Sequence, residues 1–162
     1  MSDTNAITQT GSGGPVGIGG WLILPVIGLV LTPLAGLANL ASYPSVFDSF
    51  SVLTGAQKLF IILELLGNVA ITIVLPIILM VLLFNKRAGF PPLYIKWAAF
   101  NFAFIVADLF LAKLLFSEVF AAGGVELFDV ETIKSIARGI ILVVVWIPYM
   151  LDSRRVKNTF VQ

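Results

Sequence analysis

The chain has 162 residues, of which 59% are hydrophobic and 12% are charged. Soluble domains carry about 25% charged residues, so this chain lacks the polar cover that water requires, and a lipid bilayer is the expected solvent. It contains no cysteine and no histidine, which excludes disulfides, thiol nucleophiles, imidazole bases and the usual zinc ligands. The net charge of +1 creates no overall field that would attract nucleic acid. We therefore expect no metal, no cofactor and no nucleic-acid partner.

Residues 1–20 are rich in glycine, serine and threonine and carry no lysine or arginine. A cleavable signal would need basic residues directly before a short apolar core. We interpret residues 1–20 as a flexible cytoplasmic tail rather than as a signal or a glycine-rich binding loop.

Four apolar stretches follow the tail, at residues 21–41, 59–84, 94–116 and 133–151. A helix needs about 20 apolar residues to cross a bilayer core about 30 Å thick. Because the backbone amides find no water there, each stretch must satisfy its own hydrogen bonds as a helix. The sequence predicts an all-α membrane protein, with a bundle of four transmembrane helices over residues 21–151.

The segments between these spans differ in character. Residues 85–92 form a short basic turn, where Pro91 and Pro92 are expected to stop any helix. Residues 42–57 and 117–132 are longer loops that contain phenylalanines, and we expect short amphipathic pieces in both, along the outer membrane surface.

The positive-inside rule sets the orientation of such a bundle. With four spans, both termini share a side with the 85–92 turn, and that side carries six basic residues against two on the other. The six are Lys86, Arg87, Lys96, Arg154, Arg155 and Lys157, and the two are Lys58 and Lys134. We predict that both termini are cytoplasmic. In the C-terminal tail, residues 152–162, the bases Arg154, Arg155 and Lys157 are expected to bind anionic lipid headgroups.

Polar residues inside the spans are the candidates for function. A charged side chain at a helix centre costs at least about 2.5–3.5 kcal/mol, so such residues are usually paired or functional. The predicted cluster, in the outer half of the bilayer, consists of Glu64, Asn68, Asn101, Asp108, Lys113 and Arg138. Lys113 lies about 140° around the helix from Asp108 and is expected to extend toward water. Arg138 is then the expected partner of Asp108 or Glu64, either as structural glue between helices or as part of a proton or substrate site.

The first span also carries a row of small residues at four-residue spacing, Gly28, Thr32 and Gly36. Such a row lets another helix approach closely, either in ordinary packing or as a dimer seam. Prolines, which free a carbonyl and allow kinks, occur inside the spans at Pro25, Pro33, Pro76 and Pro148. The two in the first span are our hinge candidates.

Two segments resemble a known family. They are Gly19–Leu24, with the sequence GGWLIL, and Trp146–Phe160, with the sequence WIPYMLDSRRVKNTF. Together they resemble a bacterial family of small inner-membrane proteins known as domain of unknown function 2569, over about Gly17 to Phe160. The resemblance implies a Gram-negative inner-membrane location and a four-helix architecture, and it supplies no activity, substrate or catalytic residue.

The sequence contains no Walker loop, no G-x-S-x-G and no H-E-x-x-H, and no nucleophile lies at a suitable spacing from a base. We therefore expect a non-enzymatic interaction or accessory component that binds lipid, a small ligand or another membrane protein. The alternative is a small transporter or proton-coupled carrier that works as an oligomer, such as a homodimer, through Glu64, Asp108 and Arg138. An intramembrane enzyme is a third, weaker hypothesis.

Overall fold

A computed structural model describes residue 14 and residues 16–123 and 128–161. Every regular element in this part of the chain is a helix, which confirms the predicted all-α class. Of the residues discussed above, 1–13, 15, 124–127 and 162 lie outside the described residues.

The first long helical run begins with a 3-10 turn at Gly20–Leu22 and continues as α1, Ile23–Leu40. After two turn residues the chain forms α2, Tyr43–Asp48, and a 3-10 turn, Phe50–Val52. A short helix therefore occupies part of the first predicted outer loop.

The second run consists of α3, Gly55–Asn68, a π-helical segment, Val69–Val74, and α4, Leu75–Phe84. A capping box begins α3, because the Thr54 hydroxyl accepts from the Gln57 N–H and the Gln57 side chain accepts from the Thr54 N–H. The π segment lies directly before Pro76, which has no N–H to continue an α-helical ladder.

The third run is α5, Phe90–Leu115, and it begins earlier than predicted. Pro91 and Pro92 lie in its first turn, where the missing N–H groups would have had no helical partner in any case. The expectation that these prolines stop any helix was wrong, because they open one. The turn before α5 is tight, and Lys86 adopts a positive φ of 52° there.

The last third of the described chain holds α6, Ser117–Gly123, and then an unbroken helical run from Val130 to Asp152. That run consists of α7, Val130–Ile141, a second π segment, Leu142–Trp146, and α8, Ile147–Asp152. The second π segment also ends two residues before a proline, Pro148. After Ser153 the chain ends with α9, Arg154–Thr159.

Among the described residues, three helical runs are long and apolar enough to cross a membrane, namely Gly20–Asp48, Gly55–Phe84 and Phe90–Leu115. They contain or closely overlap the first three predicted spans and indicate a membrane protein. The fourth span, at residues 133–151, stays a prediction, as does the placement of α2 and α6 at the membrane surface.

The apolar core lies at one end of the bundle, where the turn before α5 meets both terminal segments. We call this the core end, and we call the opposite end, which holds α2 and α6, the loop end. The rings of Phe90 and Phe160 lie 4.7 Å apart between their centroids. The buried residues of this core are Leu22, Leu29, Ile71, Leu79, Leu83, Phe90, Tyr94, Trp97, Ala98, Met150, Val156 and Phe160.

The segment before α1 contacts the C-terminal helix at this end. The Gly17 N–H donates to the Thr159 hydroxyl at 2.9 Å. The guanidinium of Arg155 lies over Gly19 and Gly20, and Gly20 has a positive φ of 56°. Gly19 and Gly20 are therefore packed against Arg155 of α9. The flexible tail expected for residues 1–20, most of which lie outside the described residues, and the binding of Arg155 to lipid headgroups stay predictions.

Candidate ligand-binding crevice

Three adjoining cavities lie between the helices, with volumes of about 230, 280 and 310 Å³. The first shares Ile105 and Ser135 with the second and Asn39 with the third, and the second and third share Asn68. Since each pair shares lining residues, the three cavities adjoin, and we call them together the polar crevice.

Polar side chains from α1, α2, α3, the first π segment, α5 and α7 line this crevice. They are Thr32, Asn39, Ser42, Tyr43, Glu64, Asn68, Thr72, Asn101, Asp108, Asp129, Glu131, Thr132, Ser135 and Arg138. The list includes five of the six residues predicted as an intramembrane cluster. The sixth, Lys113, is exposed in the last turn of α5.

Glu64 is held by neutral donors. The Tyr43 hydroxyl donates to Glu64 Oε1 at 2.8 Å, and Asn68 Nδ2 donates to the same oxygen at 2.9 Å. Glu64 and Asn68 share a helix face, as their spacing of four residues predicts. Tyr43 was missed by the sequence reasoning because it lies beyond the first predicted span, and only the fold of α2 against α3 brings it to Glu64.

Arg138 does not form the ion pair predicted for it. Within residues 16–123 and 128–161 the one salt bridge joins Lys134 to Glu131, at 2.7 Å, and both side chains are exposed. Arg138 instead lines the cavity that contains Asn101. The prediction failed because a similar depth in the bilayer and a shared face do not fix how two side chains on neighbouring helices are oriented toward each other.

Gly139, the neighbour of Arg138, shows at which level α7 packs against α5. A Cβ on Gly139 would lie 2.7 Å from Phe102 Cδ2 and 3.7 Å from Ile105 Cδ1, so α7 meets α5 at this level. Asp108 lies three to six residues further toward the loop end. At 1.5 Å per residue this places the backbone of Asp108 about 5–9 Å from the level of Gly139, and about 3–8 Å from the level of Arg138, which is one residue nearer the loop end.

Trp97 closes the crevice toward the core end. Its ring lines the cavity beside Arg138, and its indole Nε1 donates to the Ile71 carbonyl at 2.8 Å. In the first π segment the Leu75 N–H donates to the carbonyl of Ala70, five residues earlier. The same pattern would pair the Ile71 carbonyl with the N–H of residue 76, but Pro76 has none. The Trp97 indole therefore donates to a carbonyl that has no donor within its own helix. Beyond Trp97 lies the apolar core.

The opposite end of the crevice is acidic. Asp129 caps the first turn of α7, where its Oδ1 accepts from the Thr132 N–H at 2.7 Å. Hydrogen bonds from Thr132 hold the pKa of Asp129 below its ordinary value, so this carboxylate stays charged near neutral pH. In the part of the chain that the structure describes, no group of three or more acidic side chains lies close enough to hold a metal ion.

The row of small residues in α1 divides into two parts. Gly36 is buried, and a Cβ there would lie 3.0 Å from Thr72 Cβ in the first π segment. Gly28 is exposed and faces open space, while the Thr32 hydroxyl donates to the Gly28 carbonyl at 2.7 Å. Gly36 therefore serves packing within the chain, and only Gly28 remains available to a second copy.

The hinge candidates Pro25 and Pro33 are both buried in α1. The π segments lie elsewhere, directly before Pro76 and Pro148. Whether Pro25 and Pro33 act as a hinge stays a prediction.

The family description "Protein of unknown function (DUF2569)" matches residues 15–161. The chain belongs to this family. The match covers nearly the whole chain and confirms the resemblance carried by the GGWLIL and WIPYMLDSRRVKNTF segments. No curated protein and no solved structure matches the chain. For this DUF2569 protein, the polar crevice is therefore the feature that points to a function.

Proposed function

We propose that the protein is a non-enzymatic, ligand-binding component of the bacterial inner membrane, and that the polar crevice is its binding site. The observation that carries this proposal is the crevice itself, which is lined by four carboxylates, one guanidinium and three amides. Polar groups within apolar membrane helices are costly and mark binding sites or pathways, and convergent polar groups in a concave site fix a ligand in one orientation.

The proposal includes a fourth transmembrane span and an orientation of the protein in the membrane. The helical run from Val130 to Asp152 packs against α5 and contains the stretch 133–151. With four spans, the six bases at the core end favour a cytoplasmic location for both termini under the positive-inside rule. The crevice then opens away from the cytoplasm, and a ligand enters from the opposite side or from the outer leaflet.

The exposed bases at the core end supply a second, weaker contact with lipid. Arg87, Arg154 and Lys157 are exposed there, and each base near an anionic leaflet contributes about 1 kcal/mol. These residues anchor the cytoplasmic face, while the crevice provides the specific site.

Binding is favoured over transport because the crevice ends at Trp97 and a packed core. A small oligomeric carrier remains the second candidate, and one observation favours it. Both π segments lie next to a proline, and π segments recur at functional sites, while discontinuous helices surround the sites of many transporters. In a carrier, these two segments would open the core end.

Native mass spectrometry of the protein in mild detergent tests the binding proposal. We expect the wild type to retain a small molecule or lipid, and Asn68→Ala to lose it, because Asn68 lines two of the three cavities. The matched control is Asn85→Ala, which removes the same amide in the exposed turn before α5. A wild type that carries nothing, or equal retention by Asn68→Ala, would contradict the proposal.

Reconstituted vesicles separate the two candidates. A carrier moves the retained compound across the vesicle membrane, whereas a binding component retains it without flux. Flux that disappears in Asn68→Ala and persists in Asn85→Ala would replace the first candidate by the second.

A further inference from the structure

Asp108 and Arg138 are opposite charges that share one crevice without pairing to each other. Within the described ranges the one salt bridge is the exposed pair of Lys134 and Glu131. An ionised group among apolar helices needs a partner, because hydrocarbon offers no solvation. Asp108 is half-buried and Arg138 is exposed, in adjoining cavities of the crevice, so a ligand that spans both cavities can meet a carboxylate and a guanidinium together.

The charges are also ordered along the crevice. Carboxylates lie toward the loop end, where Glu64 and Asp129 join Asp108 as lining residues. Arg138 lies toward the core end, with Asn101 and Thr72 in the same cavity. The backbone levels of Asp108 and Arg138 differ by about 3–8 Å along the helix axis, a separation that a small molecule with one charge at each end can bridge.

We propose that the polar crevice binds a small zwitterion, with its ammonium group at Asp108 and its phosphate or carboxylate at Arg138. This inference rests on the proposed function and names the ligand class of the same site. The guanidinium binds an oxyanion through two parallel N–H groups. The ammonium donates to the Asp108 carboxylate. Glu64, which lines the adjoining cavity, adds a second negative charge toward the loop end.

Two sources present this chemistry. One is the headgroup of phosphatidylethanolamine in the leaflet at the loop end, where the ammonium lies nearer to water than the phosphate does, in the same order as Asp108 and Arg138. The other is a free zwitterion such as O-phosphoethanolamine, which enters from the aqueous side.

The experiment titrates the full-length protein with three probes and follows binding by native mass spectrometry. The probes are short-chain phosphatidylethanolamine, phosphatidylglycerol with the same chains, and O-phosphoethanolamine. Phosphatidylglycerol retains the phosphate and lacks the ammonium. We expect the wild type to bind phosphatidylethanolamine about tenfold or more tightly than phosphatidylglycerol, as one charge-assisted hydrogen bond provides.

Variants of Asp108 and Arg138 test which group of the ligand each charge binds. Asp108→Asn should abolish the preference between the two lipids, and Arg138→Gln should weaken both by about tenfold. Asp152→Asn and Lys113→Gln each remove one charge of the same sign at an exposed position outside the crevice and should bind like the wild type. Binding of O-phosphoethanolamine as tight as that of the lipid identifies a free solute as the ligand, and binding of the lipid alone identifies a headgroup.

Asp108→Glu and Arg138→Lys distinguish a specific loss of ligand binding from misfolding of the variants. Each keeps the charge, so each should bind more tightly than its neutral counterpart, and equal loss in the charged and neutral variants would overturn the inference. Equal wild-type affinity for the two lipids, or no binding of any probe, would also overturn it. Should the wild type retain some other compound in an Asn68-dependent manner, the zwitterion would be refuted while the binding function stands.

Discussion

Gly36 and Gly28 belong to the same helix and the same row, yet they meet different surroundings. A Cβ at Gly36 would collide with Thr72, whereas a Cβ at Gly28 would meet nothing within 4 Å. We expect Gly36→Ala to lower the free energy of unfolding by about 1–3 kcal/mol through overpacking. Gly28→Ala should leave it unchanged or raise it by up to about 1 kcal/mol, because alanine favours helix.

Unfolding of the two variants in mixed micelles, followed by circular dichroism, measures this difference. Equal stabilities would mean that α1 and the first π segment are not in close contact. A change in oligomeric state for Gly28→Ala alone would instead identify the exposed half of the row as a dimer seam.

Trp97 lines the crevice and also donates to the Ile71 carbonyl, which has no helical donor because residue 76 is a proline. Trp97→Phe removes the donor to the Ile71 carbonyl and leaves a buried acceptor unpaired, so we expect a loss of about 1–3 kcal/mol in unfolding free energy. The control is Trp21→Phe at a position where the ring is exposed. Pro76→Ala restores an N–H at position 76, so the loss caused by Trp97→Phe should shrink by about 1 kcal/mol in that background. Additive effects in this double-mutant cycle would refute the link between Pro76 and Trp97.

At the scale of elements, α9 is a structural part of the bundle, because it contributes buried residues to the core end. Phe160 is buried against Phe90, and Val156 and Thr159 are buried beside it. Phe160→Ala should lower the unfolding free energy by about 3 kcal/mol, as expected for a buried ring. Val161→Ala, at an exposed neighbour, should have no effect. If both variants unfold like the wild type, α9 does not contribute to the core end.

The positions of the apolar helices could be predicted from the sequence because the membrane requirement acts on each segment alone. The contact of Glu64 with Asn68 was likewise predictable from their spacing along a single helix. Contacts between elements were not. Tyr43 reaches Glu64 only through the return of α2 toward α3. Similarly, the packing of Phe160 depends on how the chain ends meet, which no periodicity within α9 encodes.

The same limit explains the two prolines at residues 91 and 92. A proline has opposite effects in the first turn of a helix and in its interior, and the sequence alone does not say which position it takes. Here Pro91 and Pro92 lie in the first turn of α5. The π segments before Pro76 and Pro148 show the other effect, a local change of hydrogen-bond register within a continuous helix.

The whole molecule combines a packed core end with a polar, open loop end. This polarity matters for function because a site that opens on one side only can bind without conducting. It also makes the direction of the molecule in the membrane measurable. The chain has no cysteine, so a single introduced thiol reports its own surroundings without background.

Labelling of single-cysteine variants with a membrane-impermeant maleimide tests both the direction and the closed end. In sealed spheroplasts, Phe128→Cys and Asn68→Cys should react, because both positions are reached from the loop end, while Ala88→Cys should react only after the membrane is opened. Leu83→Cys, whose native side chain is fully buried in the core, should stay unlabelled from either side until the protein is denatured. Reaction of Ala88→Cys in sealed spheroplasts would reverse the proposed orientation. Rapid reaction of Leu83→Cys from either side would show that the core end opens, which is what a carrier requires.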